Sequence, residues 1–289
     1  MQTRRLTPYL FLSPALLFGV IFFLLPLALA LYLTFTNFQA FAPYHAVGFL
    51  NYKYLLTRDP LFLQTMRNTA VFAIGALGIG IPVSLLVAYT ISKSHHRAFW
   101  RAIYWLPMAT NVVAVAFAWK FMLDGATGLV NRVLDLFGLP GPGWLIDPKF
   151  AMFSVILVFV WMTLGSNVLL LSAGMEGIDE TVYEAARIDG ATTFQLFRQV
   201  AIPLLKPTLL FVMTTDLIIC LSSFPLMLVL TDGGPAQSTT VTALYMYQMA
   251  FANLRLGRAS AAAFILFLLI FAVTMAQLRM FRRGGMEAY

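Results

Sequence analysis

Long stretches of this sequence contain no charged residue, and their length limits the folds open to the chain. A helix that crosses the hydrocarbon core of a bilayer needs about 20 apolar residues. The chain is 60% hydrophobic and only 11% charged, far below the roughly 25% charged content of soluble domains. We therefore predict an all-α integral membrane protein, a single domain over residues 1–289 with six transmembrane helices. The expected spans are about 9–34, 68–92, 102–123, 150–173, 207–231 and 259–279.

Six spans place both termini on the same side of the membrane, and the basic residues indicate which side. Cytoplasmic segments of membrane proteins carry an excess of Lys and Arg. The termini and the loops on their side contain eleven of the 19 Lys and Arg residues. We therefore expect a multi-pass protein of the bacterial plasma (inner) membrane with both termini in the cytoplasm. That orientation also places residues 179–203 in the cytoplasm.

The polar loop at residues 179–203 lies between the fourth and fifth spans, and its sequence predicts two short helices. Asp179 is a suitable N-cap for the first helix, and Gly190 provides its stop because glycine adopts a positive φ at little cost. Thr192, followed three residues later by Gln195, has the form of a capping box for the second. A cytoplasmic helix-turn-helix is the expected result.

The same loop combines small residues, which allow another backbone to approach closely, with aromatic residues of the kind enriched at interfaces. One interpretation is a connection that packs only on its own protein, and the other is a docking element for a cytoplasmic partner. The small residues are Ala185, Ala186, Gly190 and Ala191, and the aromatic residues are Tyr183, Phe194 and Phe197.

The loop resembles the EAA loop of ABC-importer permeases. That pattern is E-A-A, three residues, G, nine residues and then I-x-L-P, and this chain has Glu184-Ala185-Ala186, Gly190 and, at residues 200–203, Val-Ala-Ile-Pro. The spacing agrees throughout, and the two departures keep their apolar character.

The similarity to the carbohydrate branch of these permeases extends over nearly the whole chain. Segments in matching order are "FLNYKYLLTRDPLF", "NTAVF", "RAIYWLP", "GLVNRVLDLFGLPGPGWL" and "LTDGGPAQST". The resemblance implies a type I ABC importer permease fold, with the loop at residues 179–203 held in a cleft of an ATP-hydrolysing subunit. By the same resemblance, the residues that couple this chain to ATP hydrolysis would be Glu184, Ala185, Ala186, Asp189 and Gly190.

The partners implied by the resemblance are two ATP-binding subunits forming a homodimer, a second homologous permease and an extracytoplasmic solute-binding protein, all within membrane lipid. ATP and Mg would bind to the ATP-binding subunits, and we expect no cofactor on this chain. Because no Gly-Lys dipeptide occurs, the chain has no P-loop for phosphate. We therefore expect a transport subunit without catalytic residues of its own.

Other binding chemistries have little support in the sequence. The adjacent His95 and His96 lie among basic residues, which disfavour a metal, and the single Cys220 lies in an apolar run. We predict no metal site. The basic residues are scattered at the ends of apolar runs rather than gathered in a patch, so nucleic acid is not an expected partner.

Polar side chains on the fifth span indicate where a solute could pass, because such groups usually face a bundle interior or a water-filled cavity. Asp216, Cys220 and Ser223 stand at i, i+4 and i+7, with Ile219 at i+3, so they are expected to share one helical face. The register of the maltose-type permeases, counted from Glu184, points to the same face and to a second one on the fourth span. The pathway positions implied by that resemblance are Phe159, Met162, Thr163, Ser166, Asp216, Ile219, Cys220 and Ser223.

Several of these assignments have alternatives. Thr163, Ser166 and Ser223 could simply bond to backbone carbonyls or to neighbouring helices. Asp216 could accept hydrogen bonds from sugar hydroxyls, pair with a cation on the companion subunit or couple transport to protons.

The leading hypothesis is the transmembrane subunit of an ATP-driven ABC importer. With a second permease, it would form the pathway for a sugar or related polyol delivered by the binding protein. The alternative is a secondary transporter, coupled to protons or sodium through Asp216. A third possibility is a membrane anchor or assembly factor.

A proline within the fifth span predicts a distortion of that helix. Pro225 cannot donate a backbone hydrogen bond and leaves the carbonyl four residues earlier without its partner, so a kink is expected near Leu221. Phe224-Pro225 resembles the glycerol-3-phosphate type, whereas many sugar permeases have Phe-Asp there. The exact solute is therefore left open.

Overall fold

The computed structural model describes residues 3–39 and 43–283, and within these ranges the chain is helical, with turns and irregular connections and no β-strand. The prediction of an all-α protein is confirmed for this part of the chain. In order, the α-helices are α1 (Thr3–Gly19), α2 (Leu25–Thr34), α3 (Leu50–Thr57), α4 (Pro60–Ser92), α5 (Arg97–Trp105), α6 (Val112–Met122), α7 (Leu129–Leu136), α8 (Pro148–Glu176), α9 (Glu180–Ile188), α10 (Thr193–Gln195), α11 (Ile202–Leu204), α12 (Lys206–Ser222), α13 (Pro225–Leu230), α14 (Thr242–Tyr247) and α15 (Leu256–Arg283).

Short stretches of other helix types join some of these helices. A 3-10 turn at Leu106–Ala109 follows α5, and π-helical turns lie at Val20–Leu24, Leu196–Ala201 and Gln248–Ala252. The first of the π turns makes α1 and α2 nearly continuous.

Four helices of the described chain are long and apolar enough to cross a membrane, and two bent pairs raise the number to six if each pair is one span. The four are Phe11–Thr34, Pro60–Ser92, Pro148–Glu176 and Leu256–Phe281. The bent pairs are Arg97–Ala109 with Val112–Met122, at 94°, and Thr193–Leu204 with Lys206–Ser222, at 72°.

The segment predicted as a third span, 102–123, is not straight. Its first part ends in the 3-10 turn, where Pro107 cannot donate a backbone hydrogen bond. Asn111 is extended, and its side chain accepts a hydrogen bond from Val113 N at 2.8 Å, so it acts as the N-cap of a new helix, α6. The charge-free interval thus contains two helices meeting at a right angle.

The fifth predicted span is interrupted where the proline predicts it. α12 ends at Ser222, Ser223 is extended, and Pro225 begins α13. The break lies within two residues of Leu221, so the predicted kink is confirmed.

The chain divides into two compact units, one of residues 1–63 with 245–267 and one of residues 64–244 with 268–289. In the first unit, Asn51 Nδ2 donates to the carbonyls of Thr34 and Thr36, both at 2.8 Å. The buried Tyr245 hydroxyl donates to Asp59 Oδ2 at 2.7 Å. These bonds satisfy polar groups that are buried within the unit.

The core of the second unit lies where α4, α8 and α12 pack together. Its buried side chains are aliphatic apart from one methionine, so the three helices meet there by close apolar packing. They are Ile81, Leu85, Ala88, Ile91, Val168, Leu171, Met175, Leu205, Leu209 and Val212.

Candidate functional site

The loop at residues 179–203 begins with the predicted N-cap and glycine turn. Asp179 Oδ1 accepts a hydrogen bond from Thr181 N at 2.9 Å, and this backbone bond lowers the pKa of Asp179. The charged carboxylate therefore lies at the N-terminus of α9, where the helix dipole favours it. Gly190 follows α9 with φ of +84°, a conformation that side chains rarely adopt. Both predictions are confirmed.

A capping box starts the second helical segment. Gln195 N donates to Thr192 Oγ1 at 3.4 Å, and Thr192 N donates to Gln195 Oε1 at 2.7 Å. The segment Thr193–Leu204 then runs to a 72° bend before Lys206–Ser222. The predicted helix-turn-helix is therefore present.

The inner face of this loop packs on its own unit. Tyr183, Leu196 and Ala201 are buried together, and the Lys93 ammonium lies 4.3 Å from the centre of the Tyr183 ring, within the range of a cation–π interaction. Burial raises the pKa of Tyr183, so its hydroxyl stays protonated. The loop is thus a supported element rather than a free connection.

The outer face of the loop is exposed. Ile188 is 86% exposed and Phe194 is 66% exposed. Burying apolar side chains of this size is favourable, so their exposure forgoes that free energy. Of the predicted coupling residues, Ala186 is half-buried and the others are exposed. We call the following set the outer face of the loop: Glu184, Ala185, Ile188, Asp189, Gly190 and Phe194.

Sequence reasoning assigned the aromatic residues of this loop only in part. Phe194 is exposed as an interface residue would be, whereas Tyr183 is buried and the Phe197 ring lies 4.8 Å from the Tyr89 ring. Ile188 was missed. Its position four residues after Glu184, on the same side of α9, was the signal that could have identified it.

Within the predicted solute pathway, Asp216 and a neighbour on α8 form a buried pair. Asn167 Nδ2 donates to Asp216 Oδ2 at 2.5 Å, and the two residues are only 2% and 6% exposed. An amide that donates to a buried carboxylate reduces the penalty of removing it from water. The sequence did not predict Asn167 as the partner of Asp216.

The remaining pathway residues of the fifth predicted span do not share one helical face as predicted, because Ser223 is extended and lies beyond the end of α12. Cys220, one turn after Asp216, is buried, whereas Ile219 is 49% exposed and Ser223 is half-buried. Ile219 therefore lies at the edge of the helical face that Asp216 and Cys220 define.

On α8, the predicted residues are arranged in the same mixed way. Phe159 is buried, with its ring 5.1 Å from that of Phe72, while Met162, Thr163 and Ser166 are half-buried. Thr163 Oγ1 donates to the Phe159 carbonyl at 3.1 Å, and Ser166 Oγ donates to the Thr163 carbonyl at 2.8 Å. Both hydroxyls keep lone pairs that a passing solute could use.

The chemistry available at these faces is hydrogen bonding and apolar contact. No group of three or more His, Cys, Asp or Glu side chains that could hold a metal ion occurs in the residues that the structure describes. The half-buried and exposed members of the set present a thioether, hydroxyls and an aliphatic side chain, with no charge among them.

The sequence matches the family described as "Binding-protein-dependent transport system inner membrane component" over residues 80–284. The chain is 36% identical to a probable ABC transporter permease protein of Pyrococcus horikoshii over 280 residues, 94% of each chain. It is 34% identical to an osmoprotective compounds uptake permease protein of Synechocystis, covering 94% of this chain and 98% of that one. A sulfoquinovosyl glycerol transport system permease protein of Agrobacterium fabrum is 32% identical, over 96% of this chain and 91% of the relative.

The fold is also found in solved structures. A chain in the crystal structure of a bacterial ABC transporter involved in the import of the acidic polysaccharide alginate superposes with a TM-score of 0.83. It has 24% sequence identity, and the match covers 98% of this chain and 97% of that chain. The predicted type I importer fold is therefore confirmed, and no comparison supports a secondary transporter. The chain belongs to the family of inner membrane components of binding-protein-dependent transport systems, the permease subunits of ABC importers.

Proposed function

We propose that this chain and a second permease together form the translocation pathway for a sugar or related polyol. An extracytoplasmic solute-binding protein delivers the solute, and ATP-binding subunits supply the energy through the loop at residues 179–203. The single observation that carries this proposal is the division of that loop into a packed inner face and an exposed outer face.

The outer face has the composition of a docking surface. Ile188 and Phe194 supply apolar area, and the neighbouring Ala185 and Gly190 leave room for another backbone. Glu184 and Asp189 add negative charge that a basic residue of the partner could meet. Because Tyr183 anchors α9 from beneath, displacement of a docked partner would move the helix as a unit.

The uncharged surface of the predicted pathway supports a solute rich in hydroxyl groups, such as a sugar or related polyol. Thr163 and Ser166 can exchange hydrogen bonds with hydroxyl groups, and Met162 and Ile219 provide apolar contact. Two of the relatives are named for the uptake of osmoprotective compounds and of sulfoquinovosyl glycerol. Asp216 and Cys220 are buried, and Asp216 accepts a hydrogen bond from Asn167, the neighbour of Ser166.

The test is co-purification of the chain from its native membrane, with ATP hydrolysis assayed in the eluate. Wild-type chain should bring down an ATP-binding subunit. The double variant Glu184→Lys, Gly190→Pro should lose both the subunit and the activity, because it reverses an exposed charge and proline cannot adopt the positive φ of residue 190.

A matched control makes the same chemical changes in the loop between α6 and α8. The Asp135→Lys, Gly138→Pro variant reverses an exposed acidic residue and places proline at another positive φ, +68°. It should retain the ATP-binding subunit. Equal loss of the ATP-binding subunit in both variants, or no ATPase activity with the wild-type chain, would contradict the proposal. If the proposal stands, uptake of radiolabelled polyols and oligosaccharides by the intact system defines the solute.

A further inference from the structure

Helix α5 is attached to α8 at two separate points. At the middle of α5, Arg101 approaches both carboxylate oxygens of Glu176, with Nη2 2.9 Å from Oε1 and Nη1 3.1 Å from Oε2. Arg97 Nη1 lies 3.1 Å from the same Oε1. Near the end of α5, the backbone of Tyr104 lies so close to Gly165 that a Cβ there would meet its carbonyl carbon at 2.6 Å.

The first attachment is more than an exposed ion pair. The Arg101 side chain is 17% exposed and that of Glu176 is 34% exposed, so water and salt screen the pair less than they screen surface charges. The pair combines a hydrogen bond from Nη1 to Oε2 with a close approach of Nη2 to Oε1, so it restricts direction as well as distance. The pair therefore resists sliding of α5 along α8.

Glu176 is joined to α9 by a short and ordered connection. Gly177 N donates to the Ala173 carbonyl at 3.2 Å and Ile178 N to the Met175 carbonyl at 3.2 Å, so the last turn of α8 continues almost to the N-cap Asp179. A displacement of α9 is thus carried to Glu176 without a flexible linker. The Lys93 contact to Tyr183 joins the end of α4 to the same helix.

The second attachment lies beside the predicted pathway. Gly165 is followed on α8 by Ser166, one of the half-buried pathway residues, and by Asn167, which holds Asp216. Movement of α5 against α8 at Gly165 would therefore reach the polar surface that a solute contacts. α5 thus contacts α8 both at Glu176, three residues before the N-cap of α9, and beside the predicted pathway.

We propose that the Arg101–Glu176 pair is a positioning contact that transmits displacement of α9 through α5 to the pathway. This inference rests on the proposed function, since it requires an ATP-binding subunit to move α9. Neither residue belongs to the predicted solute pathway or to the outer face of the loop. Their role is to keep ATP hydrolysis linked to opening of the pathway.

The experiment uses the assembled importer in proteoliposomes and measures solute transported per ATP hydrolysed. Glu176→Gln should remain in the complex and hydrolyse ATP within about twofold of wild type, but transport per ATP should fall about tenfold, the loss expected if a contact worth about 1.4 kcal/mol is removed. The charge exchange Arg101→Glu, Glu176→Arg should recover most of the ratio. A purely structural role would lower transport and hydrolysis together and leave their ratio unchanged.

Asp135→Asn is the matched control, because it neutralises an exposed carboxylate remote in sequence from α5, and its ratio should equal that of wild type. Wild-type ratios in both Glu176→Gln and the charge exchange would overturn the inference. If the Glu176→Gln chain is lost from the complex, the Arg101→Lys variant takes its place in the test, because lysine keeps the charge without the contact to both carboxylate oxygens. An unchanged ratio of transport to ATP hydrolysis in Arg101→Lys would overturn the inference. Absence of an ATP-binding subunit from the wild-type complex would instead overturn the proposed function.

Discussion

The hydrogen bond from Asn167 to Asp216 joins two helices of the second unit at a place that water does not reach. Both residues are almost completely buried, and a buried polar group that loses its partner pays the full desolvation penalty. Such a pair is therefore sensitive to the removal of one member and tolerant to the removal of both.

We expect Asn167→Leu to lower the free energy of unfolding by about 1–3 kcal/mol, the range for a buried group left without its bond. Adding Asp216→Leu should restore much of that loss, because an apolar pair replaces both polar groups. Thermal unfolding of the purified chain in detergent measures both effects. Thr215→Val serves as the control, since among the described residues the Thr215 hydroxyl bonds to its own helix, at Phe211 and Val212. A stability loss no larger than that of this control would contradict the expectation.

At this scale the sequence identified Asp216 but not its partner. An intramembrane carboxylate is conspicuous by its charge, whereas Asn167 is one of several uncharged polar residues on α8. Which of them meets Asp216 depends on the rotation of α8 against α12, and packing of the apolar core fixes that rotation. Thr163 and Ser166 illustrate the same point, since their bonds to their own backbone were only one of two alternatives.

Among the elements, the close approach of α5 to α8 depends on a single missing side chain. Gly165 faces the Tyr104 carbonyl, and the neighbouring Trp105 Cα would lie 2.9 Å from a Cβ at residue 165. Because the obstacle is backbone rather than the end of a flexible side chain, the helices must separate to admit a methyl group.

Gly165→Ala is therefore expected to destabilise the chain by about 1–3 kcal/mol through overpacking. Gly78→Ala on α4 is a suitable comparison, because nothing lies within 4 Å of its added Cβ, and helix propensity there favours alanine by roughly 0.5–1 kcal/mol. Opposite shifts of the unfolding temperature in the two variants would agree with the structure. A Gly165→Ala variant as stable as wild type would mean that α5 does not pack at this point.

The elements of the loop at residues 179–203 could be predicted because their signals are local. An N-cap, a capping box and a glycine turn each depend on a few adjacent residues, and all three are found at the expected positions. The right-angle bend in the segment 102–123 could not be found by counting charges, because Asn111 and Pro107 are uncharged. Reading them as helix-capping and helix-breaking residues would have divided that segment.

For the whole molecule, the orientation in the membrane remains a prediction from the distribution of Lys and Arg. The chain is well suited to a labelling test because its single cysteine, Cys220, is 1% exposed. A membrane-impermeant maleimide should leave the wild-type chain unlabelled. Asp135→Cys should react in intact cells, while His95→Cys, in the loop predicted to lie in the cytoplasm, should react only after the membrane is permeabilised.

The opposite pattern for these two exposed positions would reverse the predicted orientation. If both Asp135→Cys and His95→Cys were labelled in intact cells, the two positions would lie on the same side of the membrane. That result would contradict the single span predicted between them. The distribution of charge could suggest this topology because insertion responds to loop charges near the spans, but a bias of eleven to eight is small.

The first long apolar helix, Phe11–Thr34, has none of its most apolar 18 residues buried inside the chain. Packing within the described part of this subunit therefore constrains the shape of these residues little beyond their apolar character. A substitution map of this helix would then report on its surroundings rather than on its own fold. Positions that accept any apolar residue would mark lipid, and positions that demand one particular shape would trace the outline of another protein.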